Sequence, residues 1–443
     1  MNRKSPDICR FDSIRGAELS SAPLSVIAAR QDDLLRRHIA YLAAHSPFYR
    51  DMFAGSGIRE EEISHTTDLT QLPFTCKSDL ESRHAEFLAV AEEEIVDICL
   101  TSGTTGKSVA MLQSADDLER LAYNEELSFR AAGFSAADRV LVAVASDRCF
   151  MAGLAYFLGL TRIRATVLRG GSGNAALTAE LIKNLRPTSL VGVPSLLLAV
   201  GERLQNEGAV PAAYGIDKIV CIGEPVRGQD FALSPLGRRL EELWHARIFG
   251  TYASTEMATS FTDCAEGAGG HLLPELMVVE IVDETGAPVP CGTFGEVVAT
   301  PLGVTGMPLL RFKTGDIAAL HEAPCSCGRN TQRLAPVIGR KSQMLKCLGT
   351  TVYPPAIFTV LQGMQGVCGY YIEVESEFAL SDRIRVVVGS RDPSLSPSSV
   401  AERIAGVIRV KPEVVIVTPE EILRVTTRED KRKPVIFFDR RTI

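Results

Sequence analysis

Long apolar runs, a basic excess and a disulfide framework are all missing from this chain of 443 residues. No apolar run approaches the roughly 18 residues of a membrane span, and MNRKSPDICRFDSIRG, at the start, contains no apolar core of a secretory leader. The formal net charge of -7 argues against a nucleic-acid partner. Eleven scattered cysteines indicate reduced, packed thiols. We therefore expect a cytoplasmic protein with no nucleic-acid or membrane partner.

Short apolar runs rich in β-branched residues recur through the first part of the chain. The runs at 139–145, 165–171, 189–194 and 217–223 are separated or followed by helical periodicity, as at 175–185. Strands that alternate with helices at such intervals predict a largely parallel sheet.

The rhythm of the sequence changes after residue 275, where strands are joined by glycine-containing turns. From residue 339 the pattern again mixes strands with a helix, at 398–407. The predicted fold class is therefore α/β. A large N-terminal α/β domain over 1–338 contains parallel sheets and a β-barrel-like part, and a small α+β domain over 339–443 follows it.

The stretch CLTSGTTGKS, residues 99–108, is dense in glycine and hydroxyl side chains. A Walker P-loop needs a glycine where this chain has Thr101, so the sequence excludes that motif. Glycines nevertheless let backbone N–H groups approach an anion, and Lys107 supplies a positive charge. The composition favours a polyphosphate ligand, and an ordinary Ser/Thr/Gly turn is the alternative.

Further motifs follow this loop in order. They are IGEP (222–225), YASTE (252–256), RFKTGD (311–316), GRKSQMLKCLG (339–349) and REDKRKP (428–434). Together with the loop and with AHSPFYR (44–50), they resemble the adenylate-forming superfamily of acyl-CoA synthetases, nonribosomal adenylation domains and luciferases, in particular its phenylacetate-CoA ligase branch. The resemblance extends from residue 44 to the end of the chain.

This resemblance implies an ATP site. The loop would wrap the β- and γ-phosphates, Tyr252 would lie against adenine, and Glu256 would bind Mg²⁺. Asp316 would accept hydrogen bonds from the ribose hydroxyls, because a carboxylate accepts two donors at once, and Arg340 would contact ribose or phosphate. The implied ATP-binding residues are Thr101, Ser102, Gly103, Thr104, Thr105, Gly106, Lys107, Gly223, Glu224, Pro225, Tyr252, Ala253, Ser254, Thr255, Asp316 and Arg340.

The last motif aligns Lys431 with the family lysine that contacts the acyl carboxylate and the α-phosphate during adenylation. Lys431 and Glu256 are therefore the implied catalytic residues. Lys433 is the alternative to Lys431, and a solvated basic tail is the interpretation without function. The chain departs from the family pattern at Ser342, where the hinge aspartate is usual, and at Asp430, which replaces a glycine.

By the same resemblance, the segment after the third strand lines part of the acyl pocket. Its members here are apolar or small: Phe150, Met151, Ala152 and Gly153. Such residues favour an aromatic or modest aliphatic acid. The neighbouring charges of Asp147 and Arg148 either contact a polar group of the substrate or face solvent, and we favour solvent.

A second metal is indicated by four separate positions. Six residues separate Cys264 from His271, and Cys325 and Cys327 flank one serine. Three thiolates and one imidazole form a closed tetrahedral zinc set with no open position, so we expect a structural role. Some phenylacetate-CoA ligase-like proteins carry a similar arrangement. The alternative is unliganded residues in two glycine-rich loops, with His321 as a substitute ligand.

The resemblance as a whole implies an ATP-dependent, AMP-forming carboxylic acid:CoA ligase. It would form an acyl-AMP with release of pyrophosphate and then a thioester, on an aromatic acid of the phenylacetate or benzoate type. ATP, Mg²⁺, CoA and structural Zn²⁺ are the implied cofactors and co-substrates. The alternatives are an adenylating enzyme that loads a carrier-protein thiol and a catalytically inactive nucleotide-binding regulator. The oligomeric state is left open, with a homodimer as one option.

Overall fold

The computed structural model describes residues 19–101, 108–172, 174–347, 350–378, 381–428 and 434–441. The α-helices in these ranges are Leu24–His45, Pro47–Ser56, Lys77–Ser82, Ala115–Ala131, Met151–Arg162, Ala175–Leu185, Pro194–Asn206, Pro235–Trp244, Pro354–Gln362, Pro397–Ile408 and Pro419–Thr426. Every helix among the described residues is too short or too polar to cross a membrane.

The strands of the described residues are β1 (Ile95–Leu100), β2 (Ala110–Ser114), β3 (Arg139–Ala143), β4 (Thr166–Arg169), β5 (Ser189–Gly192), β6 (Lys218–Ile222), β7 (Arg247–Ser254), β8 (Thr259–Thr262), β9 (Gly270–His271), β10 (Met277–Val282), β11 (Gly295–Pro301), β12 (Phe312–Ala318), β13 (Leu320–His321), β14 (Arg333–Leu334), β15 (Gly339–Arg340), β16 (Leu345–Cys347), β17 (Thr350–Val352), β18 (Gly369–Phe378), β19 (Ser381–Gly389), β20 (Glu413–Val417) and β21 (Phe437–Asp439).

The chain divides into two compact units. The first comprises the described residues up to Leu233, together with Gly237–Thr314 and Ala318–Val337. The second comprises Ser234–Leu236, Gly315–Ile317 and the described residues from Ile338 onward.

A six-stranded sheet forms the centre of the first unit, in the order β4-β3-β5-β6-β7-β8. The first five strands in this order run parallel, and β8 runs antiparallel to β7. Val142, Val191 and Val220 pack on one face, and Leu141 and Leu190 pack on the other. A sheet that buries both faces needs apolar side chains throughout its strands. The predicted parallel sheet is therefore confirmed at the predicted strands.

The antiparallel part of the first unit follows the parallel sheet in the sequence. Strands β10 and β11 pair in register from Met277 opposite Pro301 to Val282 opposite Glu296. Strand β12 follows β11 in the same sheet, and β13-β14-β9 form a separate small sheet. The sequence predicts a barrel-like arrangement here. Among the described residues, these strands form two sheets, and the strand order of neither sheet closes on itself.

The first helix ends at His45. Ser46 adopts an extended conformation because Pro47 follows it, and Pro47 begins the next helix. Leu34, Leu35 and Ile39 of the first helix are buried in the core that these helices share with β10 and with residues after β11.

The second unit is α+β. Its main sheet has the order β20-β19-β18-β21, with an antiparallel pair β18-β19 at its centre and a parallel strand on each side. Ile357, Val400 and Ile404 of two helices pack against Ile372 and Val386 of this sheet. The helix predicted at 398–407 is present as Pro397–Ile408.

Candidate active site

Three of the predicted segments follow parallel strands of the same six-stranded sheet. The segment predicted to line the acyl pocket, residues 146–157, comes after β3, and we call it the acyl segment. Gly223–Pro225 comes directly after β6, and Tyr252–Glu256 includes the end of β7. The carboxyl ends of parallel strands lie at one edge of a sheet, and ligands of open α/β sheets bind outside that edge. The structure therefore brings these three segments together at the edge where a nucleotide would bind. We call it the carboxyl edge.

Thr101 closes the base of the glycine-rich loop. Its side chain is buried, its N–H donates to the carbonyl of Val109, and its Oγ1 accepts from the Val109 N–H, both at 2.9 Å. The predicted loop residues Ser102–Lys107 lie outside the described residues. The N–H of Leu100, just before Thr101, donates to the carbonyl of Cys149 at 2.8 Å. This bond links the base of the loop to the acyl segment.

Glu224 makes contacts that the sequence did not reveal. Its carboxylate accepts from the N–H of Ser195 at 3.1 Å and from the Ser195 hydroxyl at 2.9 Å. Ser195 lies in the first turn of the helix Pro194–Asn206, whose N–H groups have no partners within the helix. A carboxylate there is also favoured by the helix dipole. Glu224 thus connects the Gly223–Pro225 segment to the start of the helix that follows β5. Gly223 makes the turn after β6, with φ 73°.

The ring of Tyr252 stacks on Phe261, its register partner on β8, with centroids 6.1 Å apart and planes 15° from parallel. This packing holds the ring predicted to contact adenine. The turn after β7 is fixed by the N–H of Met257, which donates to Ser254 Oγ at 3.2 Å, and Glu256 lies within this turn, half-buried.

The acyl segment begins with a sharp turn, in which Arg148 and Cys149 both have positive φ, 53° and 55°. Non-glycine residues rarely adopt this conformation, so the surrounding packing must impose it. The side chains of Asp147 and Arg148 are 71% and 70% exposed, which is the solvent-facing arrangement.

The four predicted acyl-pocket residues divide into two pairs. Met151 is buried beside Leu121. Gly153 is required by packing, because a Cβ there would lie 2.2 Å from the carbonyl oxygen of Ala145. Phe150 and Ala152 are half-buried at the border of the core on the same face of the sheet. These two are the residues that remain accessible to a substrate.

Asp316 and Arg340 are register partners on β12 and β15, within the second unit. Arg340 Nε lies 3.1 Å from Asp316 Oδ1. The two residues implied in ribose recognition are therefore joined directly. Lys431, Lys433 and Asp430 lie outside the described residues. Ser342 lies in the short helical turn Lys341–Gln343.

Cys264, His271, Cys325 and Cys327 form one cluster in the first unit, in which the ligand atoms all lie within 4.8 Å of one another. Cys264 Sγ is 3.7 Å from Cys325 Sγ, and Cys327 Sγ is 3.3 Å from His271 Nε2. Ligands at about 2.3 Å from a tetrahedral zinc are about 3.8 Å apart, so these separations fit such an ion. The ring of His321 packs edge-on against Phe231 and is not a member of the cluster.

Two turns of the same form present the cysteines. The N–H of Gly267 donates to the carbonyl of Cys264, and that of Gly328 donates to Cys325, at 2.8 and 3.1 Å. Both glycines have positive φ, 64° and 83°. A Cys followed three residues later by Gly is the sequence signal for these turns, and the spacing between the ligands alone does not reveal it.

The electrostatics of the cluster suit a cation. His271 Nδ1 lies 3.2 Å from the carbonyl oxygen of Thr331, which can only accept, so Nδ1 carries the proton and Nε2 keeps its lone pair. Burial, with the nearby Arg329, lowers the pKa of His271 to about 4, so the ring is neutral at pH 7.

The thiols of the cluster differ in acidity. Burial raises the pKa of the Cys264 thiol to about 12, so a metal would have to displace its proton. Burial acts on Cys327 in the same direction, but the N–H of Arg329 and the neighbouring thiols outweigh it and hold the pKa of Cys327 below its usual value.

The sequence profile of the family described as AMP-binding enzyme matches residues 49–306. The chain belongs to this family. The matched range contains the glycine-rich loop and all three segments of the carboxyl edge, and it also contains Cys264 and His271.

Individual members of the family are similar along most of their length. A phenylacetate-coenzyme A ligase of Thermus thermophilus is 31% identical over 373 residues, which cover 82% of each chain. One of Pseudomonas putida is 28% identical over 340 residues, 75% of each chain. The crystal structure of 2-hydroxyisobutyryl-CoA ligase in the postadenylation state, in complex with R3-HIB-AMP, has a TM-score of 0.83 at 22% identity and covers 95% of this chain and 91% of that chain. This likeness confirms the fold.

Proposed function

We propose that this member of the AMP-binding enzyme family is an ATP-dependent, AMP-forming carboxylic acid:CoA ligase. The observation that carries the proposal is the meeting of two adenylation motifs and the predicted acyl segment at the carboxyl edge, which is where open α/β sheets bind ligands. The identity of 31% with a phenylacetate-coenzyme A ligase over 82% of both chains supports it.

The proposed reaction has two steps. A carboxylate oxygen of the acid attacks the α-phosphorus of ATP, the bond from that phosphorus to the β-phosphate oxygen breaks, and pyrophosphate leaves. The sulfur of CoA then attacks the carbonyl carbon of the acyl-AMP, and AMP leaves with the electron pair of the broken C–O bond. The first step brings anions together, so it requires positive charge and hydrogen-bond donors held in line.

Residues of this chain would supply that environment. The loop that Thr101 closes would hold the β- and γ-phosphates, and Tyr252, braced by Phe261, would pack against adenine. Glu256 would hold Mg²⁺, which neutralises phosphate charge when it is bound. The Asp316 carboxylate, which pairs with Arg340, would accept hydrogen bonds from the ribose hydroxyls. Lys431 would contact the acyl carboxylate and the α-phosphate.

The C-terminal residues 339–443 would act as a mobile lid that brings Lys431 to the first step and withdraws it for the second. Replacing Lys431 by Ala should abolish acyl-AMP formation while preserving thioester formation from supplied acyl-AMP. Lys433→Ala is the matched control, because it removes the same charge two positions away. Loss of both steps in K431A, or of neither, would contradict the assignment.

An aromatic acid of the phenylacetate or benzoate type is the proposed substrate. Phe150 and Ala152 remain half-buried at the border of the core, and they offer an apolar surface to a flat ring. The names of the similar ligases from Thermus thermophilus and Pseudomonas putida support the same class.

Mass spectrometry after incubation with ATP, Mg²⁺ and a panel of aryl and short-chain acids, with and without CoA, tests the function. Acyl-CoA together with AMP is the expected result, and it would also name the acid. Accumulation of acyl-AMP that CoA does not discharge would overturn CoA as the acceptor and favour a carrier-protein thiol.

For the cluster of Cys264, His271, Cys325 and Cys327 we propose a structural zinc ion. Four ligands close the coordination sphere, so no position is left for catalysis. Metal analysis of protein purified without chelators should give one equivalent of zinc, and Cys327→Ser should lower both this content and the melting temperature. Less than half an equivalent in the unaltered protein would contradict the proposal.

A further inference from the structure

One guanidinium connects both segments that would enclose adenine. Arg227 lies two residues after Pro225, and its Nη2 donates to the carbonyl of Ile248 on β7 at 2.8 Å. Its Nη1 donates to the carbonyl of Phe231 at 2.9 Å, which fixes the stretch after Gly223–Pro225. Arginine is suited to this role because its planar fork makes several directed hydrogen bonds at once.

The third contact of Arg227 leads to the metal cluster. Its Nε lies 2.6 Å from Oδ2 of Asp263, and Asp263 directly precedes the ligand Cys264. The same carboxylate oxygen accepts from the N–H of Gly250 at 2.8 Å, two residues before Tyr252. Asp263 therefore bonds to both strand β7 and Arg227.

The turn that carries Cys264 packs closely against these residues. A Cβ on Gly267, the glycine that closes this turn, would lie 2.3 Å from Arg227 Nη2. A Cβ on Gly269 would lie 2.6 Å from the ring of Phe231. The guanidinium and the aromatic ring thus contact the backbone of the metal-binding loop, and a change in the shape of that loop would move them.

We propose that Arg227 and Asp263 are positioning residues, which couple the Cys264 metal cluster to nucleotide affinity by fixing the separation between Gly223–Pro225 and Tyr252. This inference rests on the proposed function. The cluster lies beside the nucleotide site rather than in it, and the pair is the hydrogen-bonded path that joins the two. Arg227 and Asp263 contact the segments that would enclose adenine and not the reacting groups, so their loss should remove binding that is shared by the ground state and the transition state.

The chain offers a matched control for this pair. Asp138 is also bonded to a cation, Lys218, at 2.7 Å, and the side chains of Asp138 and Asp263 are both 6% exposed. The two substitutions D263N and D138N therefore disturb ion pairs of similar length whose carboxylates are equally buried. Asp138 precedes β3, at the opposite edge of the sheet.

The test measures the dissociation constant of MgATP by calorimetry without acid or CoA, with metal content determined on the same samples. D263N should weaken binding about tenfold, within the usual range of coupling between sites, while it retains the metal of the unaltered protein. D138N should lower the melting temperature and leave the dissociation constant within about twofold. In steady state, D263N should raise KM for ATP while kcat and KM for the acid stay unchanged.

Arg227→Lys provides a second variant if D263N does not fold. It keeps the charge beside Asp263 but loses the contacts to Ile248 and Phe231, so ATP binding should weaken and metal should be retained. Unchanged affinity in both variants, equal weakening in D138N, or loss of metal from D263N would each overturn the coupling. If the unaltered protein binds no ATP, the proposed function itself fails. If the unaltered protein binds ATP and the variants bind it equally well, only this inference fails.

Discussion

The two edges of the parallel sheet are built from the same strands but differ in chemistry. At the amino edge, Lys218 begins β6, and its ammonium pairs with Asp138 just before β3. The hydroxyl of Ser189, which begins β5, donates to the same carboxylate at 3.1 Å, and the N–H of Ser135 donates to it at 2.7 Å. Charges and hydrogen bonds are satisfied locally at this edge.

The carboxyl edge shows the opposite pattern. Asp147 and Arg148 extend into solvent there, with side chains 71% and 70% exposed. Polar groups such as Glu256 are only half-buried. The comparison teaches that the amino edge buries its ion pair within the fold, whereas the carboxyl edge, where open α/β sheets bind ligands, leaves polar side chains accessible.

Among the variants that test this difference between the two edges, Glu256→Gln at the carboxyl edge should have the largest effect. The amide keeps the shape but loses the charge that would hold Mg²⁺ in the proposed reaction, so acyl-AMP formation should fall by about 10²–10³-fold. The melting temperature should stay within a few degrees, because the side chain is only half-buried. Pyrophosphate release and thermal unfolding are the two measurements. A lowered melting temperature together with an unchanged rate of pyrophosphate release would contradict a functional role for Glu256.

Asp138→Ala at the amino edge should have the complementary effect. It removes the carboxylate 2.7 Å from the buried ammonium of Lys218 and leaves the more exposed Asp217, 3.6 Å away, so the free energy of unfolding should fall by about 3 kcal/mol. Below the melting temperature, kcat should be unchanged. Urea denaturation and steady-state kinetics check both parts, and a loss of rate in the folded variant would contradict the prediction.

Glu125 carries a buried carboxyl group that lies at neither edge of the sheet, and this group predicts a pH dependence of stability. It is buried on the helix Ala115–Ala131, where a Cβ on Gly159 of the next helix would lie 2.3 Å from it. Burial raises the pKa of Glu125 from 4.5 to about 8, although a hydrogen bond with Ser260 acts in the other direction. The folded state therefore binds the proton more tightly than the unfolded state does.

The sign of the pH dependence follows from this raised pKa. The contribution of Glu125 to stability is complete below pH 4.5 and is lost as the pH rises towards 8. Glu125→Gln should melt like the unaltered protein at pH 5 and at a higher temperature at pH 9. The exposed Glu119, replaced by Gln, is the control. An equal difference at both pH values would contradict the raised pKa.

The smallest effect is expected at Ser195. Ser195→Ala removes one hydrogen bond to Glu224 but leaves the N–H contact, so it should cost about 1 kcal/mol of stability. KM for ATP should rise slightly, because the Gly223–Pro225 segment loses part of its attachment. Ser128→Ala, which removes a hydroxyl bonded to Ser260 instead, serves as the comparison. Equal KM changes in both variants would contradict a specific role.

Much of the fold was predictable because local signals agreed with the tertiary structure. The extended Ser46 before Pro47 ends the first helix, and the apolar runs at 139–145 and 217–223 form parallel strands. The four metal-ligand candidates were visible as residue types, although His271 and Cys325 are more than 50 residues apart.

The remaining features depend on contacts between distant residues, which periodicity does not encode. Nothing local distinguishes Met151, which packs into the core, from Phe150, which stays half-buried. The bond between Glu224 and Ser195 and the pair of Arg227 with Asp263 arise only when neighbouring strands are assembled. Positive φ at Arg148 is likewise imposed by packing, because no glycine marks the turn.

The most direct test of the central claim is exchange of labelled pyrophosphate into ATP in the absence of CoA. Reversible formation of an acyl-AMP predicts exchange that requires both Mg²⁺ and a carboxylic acid and that disappears in Glu256→Gln. Exchange that proceeds without any acid, or thioester formation accompanied by ADP instead of AMP, would contradict an adenylating carboxyl edge.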